Sequence, residues 1–154
     1  MGLDSYVRRV VYVRDRDVVA QIAAAIDVPA DSMDDFGSAT VRMPFLYWRK
    51  DWAFHQWFAD HAYDGQDLET DAEFGIDLLQ NFHDDLYTAL TYPDTEDQLF
   101  DPTYWSDEGT APDRFANRRE TLAIVADELK RVRALEADKT RPHYYALYEY
   151  HGSW

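Results

Sequence analysis

Leu3-Asp4-Ser5-Tyr6-Val7-Arg8-Arg9-Val10-Val11-Tyr12-Val13 puts Val7, Val11 and Val13 on one face of an extended chain and Tyr6, Val10 and Tyr12 on the other. A period of two, rich in β-branched residues, predicts a strand. Near the other end, His143 to Tyr150 alternates Tyr144, Ala146, Tyr148 and Tyr150 against Tyr145, Leu147 and Glu149, which predicts a second strand. Antiparallel pairing of these two segments would close the domain and bring the termini together. The fold class expected is therefore α+β, with a small antiparallel sheet pairing the N- and C-terminal strands and three or four helices covering it. The 154 residues suit a single domain, 1–154.

Between these strands the helical segments follow from spacing. Asp15-Arg16-Asp17 reads as a turn and N-cap for a short helix over Val18 to Ile26. Asp27 to Thr40, with Pro29 and Gly37, reads as a loop, and Val41 to Leu46 fits either a strand or the approach to a helix. Trp48, Trp52, His55 and Phe58 return at steps of three and four, which predicts a helix over Tyr47 to His61. Thr70-Asp71-Ala72-Glu73 fits a capping box opening a helix to about Leu90, with Phe74, Leu78, Phe82, Leu86 and Leu90 inward and Pro93 ending it. Thr91 to Pro112 reads as a long acidic loop carrying Phe100, Tyr104 and Trp105, either functional or tacked down by those aromatics. A last helix, capped by Asp113 and running to about Asp138, would bury Phe115, Leu122, Val125, Leu129 and Val132.

Composition narrows the function. There is no cysteine, which excludes a disulfide scaffold, a thiolate zinc site and a cysteine nucleophile. No run approaches the roughly 18 apolar residues of a membrane span. The first residues lack the apolar stretch of a signal peptide, so the expected location is cytoplasmic. The formal net charge is −15, from 15 Lys and Arg against 30 Asp and Glu. From Asp51 to Asp113 there is no Lys or Arg, so nothing in that window could neutralise a phosphate backbone, and direct nucleic-acid binding is not expected there. Such a face is either a solvated surface or a decoy for a basic groove on another protein.

The densest chemistry lies in Tyr47-Trp48-Arg49-Lys50 followed by His55-Gln56-Trp57-Phe58. Arginine offers a planar fork for anions, Trp and Tyr offer flat faces, and His exchanges protons near neutral pH. Tyr47, Trp48, Arg49, Lys50, His55 and Trp57, with Arg118 from the last helix and Trp154 from the end, are the candidate ligand-binding residues. Arg119 is a further candidate cation, and Asp51 would orient His55 one helical turn on. The competing reading makes the tryptophans a core stripe.

Other motifs carry less. The histidines His55, His61, His83, His143 and His151 show no four-residue zinc spacing. His83-Asp84, with His55 or His61 and Asp127, is the one arrangement that suggests a metal-dependent phosphohydrolase. The loop acids do not follow an EF-hand pattern. No phosphate loop, nucleophile elbow or cofactor motif occurs, so no catalytic residue, metal site or cofactor is assigned.

Met1-Gly2-Leu3-Asp4 with Tyr6, the Tyr47-Trp48-Arg49-Lys50…His55-Gln56-Trp57-Phe58 segment and the final Ser153-Trp154 resemble a group of small uncharacterised bacteriophage and prophage proteins. These open on Gly-Leu-Asp, carry Tyr-Trp-Arg-Lys…His-x-Trp-Phe and end in Ser-Trp. The resemblance spans most of the chain, and its middle block is the specific one. It implies a phage-type accessory protein in the host cytoplasm and gives no reaction. Three functions are then expected in order. The first is sequestration of a nucleotide-like or other anionic small molecule in a Trp/Arg/His pocket, with a counter-defence role. The second is an acidic, nucleic-acid-mimicking inhibitor that binds a host protein through the Asp51–Asp113 face. The third is the phosphohydrolase.

Overall fold

The computed structural model describes residues 4–29, 38–49, 51–63, 71–95, 99–100, 111–138, 140 and 147–153. Valine-rich β1 (Asp4–Val13) leads into α1 (Arg16–Ala25), then β2 (Ala39–Arg49) and α2 (Trp52–Ala62). Next come the short β3 (Ala72–Gly75), α3 (Ile76–Thr91) and a 3-10 turn at Pro93–Thr95. The 27-residue α4 (Ala111–Ala137) and β4 (Leu147–Ser153) complete the order. All pairings are antiparallel, in the order β2-β1-β4-β3. The N- and C-terminal strands are thus adjacent in the middle of the sheet, with Asp4 opposite Ser153 and Val7 opposite Tyr150. The α+β expectation holds, and among the described residues four α-helices accompany the sheet.

Local chemistry sets the ends of several elements. The Asp15 carboxylate accepts from the backbone N–H groups of Asp17 and Val18 and caps α1 as its sequence predicts. Asp51 caps α2 by accepting from the Phe54 N–H at 3.0 Å. The helix expected from Tyr47 therefore begins at Trp52. The residues before it are strand, because Leu46 and Trp48 face the core while Tyr47 and Arg49 face outward. The helix expected from the Thr70 box is also corrected. Ala72–Gly75 forms β3, since Ala72 and Phe74 fill core positions opposite Tyr150 and Tyr148. Pairing with β4 overrides local capping, and α3 starts at Ile76 behind an extended Gly75 with no side-chain cap bond. Thr70, Tyr104 and Trp105 lie outside the described residues.

One face of the sheet carries the core. Val7, Leu46, Trp48, Phe74, Tyr148 and Tyr150 meet Phe54, Trp57 and Phe58 of α2, Leu79, Phe82 and Leu86 of α3, and Val125 and Leu129 of α4. Phe100 also enters this core. The register of β1 and β2 shifts between Val7 and Arg8, where β2 holds one residue more. That bulge lets consecutive residues, Phe45 and Leu46, both pack on the core. Val125, Leu129 and Val132 of the expected α4 stripe are buried, the Phe115 side chain lies outside the described residues, and the buried side is wider than the stripe. Arg118, Thr121 and Glu128 face inward beside Val125, Leu129 and Val132, while Leu122 is half-buried.

Gly152 marks the tightest point. A Cβ there would stand 2.7 and 2.8 Å from Cε1 and Nδ1 of the buried His55 ring. Gly152→Ala is expected to cost about 1–3 kcal/mol by overpacking. Because the clash is with one ring, the double variant with His55→Ala should cost less than the sum of the single changes, which urea unfolding would measure. Strict additivity would place the strain elsewhere.

Candidate functional site

The six described candidate binding residues do not converge on one pocket. Trp48 lies in the core with edge contacts to Phe54 and Phe82, and its indole N–H donates to Thr121 Oγ1 at 3.0 Å. Trp57 is stacked on His61 and donates to Asp85 at 2.9 Å. His55 Nδ1 and the Tyr150 hydroxyl are 2.6 Å apart in a buried hydrogen bond. The Tyr150 hydroxyl orients that imidazole. Burial pushes the Tyr150 hydroxyl well above its ordinary range, while the Ser5 hydroxyl works in the opposite sense. Arg118 is 1% exposed, with its guanidinium 5.4 Å from the Phe54 ring centre and 5.7 Å from that of Phe100. Burial lowers its pKa, and the charge of Asp51 counteracts this. Only Tyr47 and Arg49 are exposed, on the opposite face of the sheet from His55. Lys50 and Trp154 lie outside the described residues. The expected hollow walled by imidazole, indole and guanidinium is therefore packed core at every described position except Tyr47, Trp48 and Arg49, which border a groove described below. Arg118 and the exposed Arg119 do not join Arg49 in one basic cleft.

The metal reading also disperses. His83 Nδ1 sits 3.0 Å from Asp84 at the surface, whereas His61 Nδ1 bonds the Trp57 carbonyl at 2.7 Å and His55 is committed to Tyr150. Among the described residues, no three His, Asp or Glu side chains are placed to share a metal ion.

Two buried glutamates organise the cations instead. Glu128 on α4 receives both forks of Arg9 at 2.9 and 3.0 Å, two bonds from Arg131, and the Tyr148 hydroxyl at 2.9 Å. Burial opposes ionisation of Glu128, but the bonds from Arg131, Arg9 and Tyr148 overcome it and hold the carboxyl down to about 2. On the other face of the sheet, Glu149 is bonded by Arg8 and Arg42. Arg8 also reaches Asp71, which His151 contacts in turn. The sequence reading missed both networks. Their signals were an acid inside a tyrosine-rich strand and an acid at helical spacing from Thr121, Val125 and Val132.

No family model, curated protein or solved structure matches this chain. Function must therefore be argued from its surfaces.

The outward side of α3 is acidic. Asp77, Asn81, Asp84 and Tyr87 are exposed along it, and the exposed Tyr92 and Asp94 continue beyond its end. Asp60 is exposed on the neighbouring α2. Asp84 is held by Gln80 and His83, and the hydrogen bond from His83 is the main cause of its lowered pKa. A second feature is a groove of about 360 Å³ between the outer edge of β2 and α4, bordered by Tyr47, Trp48 and Arg49 on the strand side. Among the described residues, no helix is long and apolar enough to cross a membrane.

Proposed function

We propose that this chain is a binding protein that engages a basic groove of a partner protein through the acidic outward side of α2 and α3. It acts there as a mimic of nucleic acid. The observation that carries this reading is the division of charge. Arg8, Arg9, Arg42 and Arg131 are turned onto two buried glutamates, Glu149 and Glu128, rather than onto the exposed acids of α3. Asp84 is exposed and held by Gln80 and His83, with Arg133 of α4 reaching α3 at Gln80. Tyr87 and Tyr92, 54% and 61% exposed, supply amphipathic anchors of the kind that dominate protein interfaces. The resemblance to phage accessory proteins supports an inhibitor of a host protein rather than a metabolic enzyme.

The reading is tested with labelled duplex DNA bound to DNA-binding proteins of a bacterial extract. Added chain should displace the DNA at about 50 mM salt and do so at least about tenfold less well at about 300 mM, since steering between opposite charges is screened. The Asp77→Asn, Asp84→Asn double variant should keep the parent's melting temperature and displace poorly. Displacement that ignores salt, or that survives in the double variant, would contradict the proposal, as would no displacement at all.

A further inference from the structure

The groove beside β2 has features that the acidic face does not explain. Among the described residues β2 is an outer strand that pairs only with β1, and none of them adds a strand to its other edge. Pro44 lacks an N–H and Phe45 is the bulged residue, so the regular edge available for pairing runs from Leu46 to Arg49. That is the stretch that borders the groove. Facing it, Asn117, Glu120, Thr121 and Ile124 lie on one side of α4 at steps of three, one and three. The Trp48–Thr121 bond holds strand and helix at a set width.

The walls differ in charge. Tyr47 and Arg49 project from the strand to the sheet face opposite the core formed with α2, α3 and α4, and pair with Tyr6 and Asp4 of β1. Glu120 projects from the helix beside the half-exposed Ile124. Among the described residues, neither Arg49 nor Glu120 forms an ion pair. A strand added in the plane of the sheet sends alternate side chains to its two faces. One parity would meet Glu120 and Ile124, and the other would meet Tyr47 and Arg49.

We infer that this groove takes an extended segment of a partner protein as a fifth strand. Its backbone pairs with Leu46–Arg49, a Lys or Arg faces Glu120, and an Asp or Glu in the next position faces Arg49. Recognition by added strand obtains affinity from backbone pairing and selectivity from alternate side chains. The charges fit an alternating segment better than a nucleotide, because Glu120 and Asp51 border the same groove as Arg49. A second copy pairing edge to edge through β2 is a different occupant, which the same experiment detects.

The test is selection of random displayed heptapeptides on the immobilised full chain. Enriched peptides should share adjacent basic and acidic positions and shift the backbone amide resonances of Leu46, Tyr47, Trp48 and Arg49. Glu120→Lys should weaken their binding at least about tenfold. Exchanging the peptide's basic residue for Glu should restore binding to that variant. Glu120 is exposed, so an unchanged melting temperature separates loss of the site from loss of the fold. Asp77→Asn with Asp84→Asn should leave peptide binding intact, which keeps this inference separable from the acidic-face reading. No enrichment would overturn it, as would peptides indifferent to Glu120→Lys. Amide shifts produced instead by nucleotides, or by raising the protein concentration, would also overturn it and identify a small molecule or a second copy as the occupant.

Discussion

Replacing Phe82 by alanine is expected to cost about 3–5 kcal/mol of folding stability. Phe82 is fully buried on α3 and stands at the centre of the aromatic core. Its ring centre is 5.0 Å from those of Trp57 and Phe58, 5.2 Å from Phe54, 6.0 Å from Trp48 and 6.3 Å from Phe100. These neighbours come from β2, α2 and the segment after α3, so the ring joins three parts of the chain. Large rings around an empty site cannot close over it without leaving their own rotamers, so the cavity would persist. Domains of ordinary size are stable by only about 5–15 kcal/mol, and the loss should be plain in urea unfolding. Phe82→Leu keeps most of the volume and should cost less than about 1.5 kcal/mol. Equal, small effects from both changes would mean that the ring is not central.

The second large effect is expected at Glu128. Exchanging its carboxylate for an amide keeps one acceptor oxygen for the buried Tyr148 hydroxyl but leaves Arg9 and Arg131 without their counter-ion and turns an NH2 donor onto their N–H groups. Arg9 and Arg131 retain side-chain exposures of 29% and 50%, so water can take up part of the loss. We expect Glu128→Gln to cost about 2–3 kcal/mol at neutral pH, toward the low end for breaking a buried pair. The pH dependence has a definite sign. The folded carboxyl is held at about 2, below its ordinary 4.5. Its contribution is fully present above about 4.5 and disappears as the pH falls through about 2. The stability gap between parent and Glu128→Gln should therefore shrink steadily over that window. A gap that stays constant from pH 6 to pH 2, about four units, would show that the carboxylate is not held in its ionised form.

Much of the fold was legible because it rests on strong local periods. The valines of β1, the tyrosines of β4 and the Asp15 cap each state their structure within about ten residues. Antiparallel pairing of the first and last strands followed from those periods alone. β3 was hidden because four residues are too short to show a period, and a capping pattern competed with them. The end of β2 was hidden because Trp48 satisfies both a strand alternation with Leu46 and a helical step to Trp52. The polar residues on the buried side of α4 were invisible for a different reason. Polar residues become core residues only when partners arrive from far along the chain, and those partners cannot be read locally. Arg9 lies 119 positions from Glu128, and Trp48 lies 73 from Thr121. The candidate binding residues were grouped by nearness in sequence, and the alternation of β2 then separated them. Tyr47 and Arg49 went outward, Trp48 inward, and His55 under Gly152.

The account depends on the indoles and the imidazole of the central segment being closed off, which leaves function to the exterior. Exchange of the Trp48 and Trp57 indole protons with deuterated water, followed by NMR, measures this directly. Their bonds to Thr121 and Asp85 should keep both protons for hours, released only as the whole domain opens, and added nucleotides or cyclic dinucleotides should leave both signals in place. Loss of either proton within seconds from a chain that remains folded, or movement of either signal by a nucleotide, would show an open, ligand-accessible hollow and contradict the account.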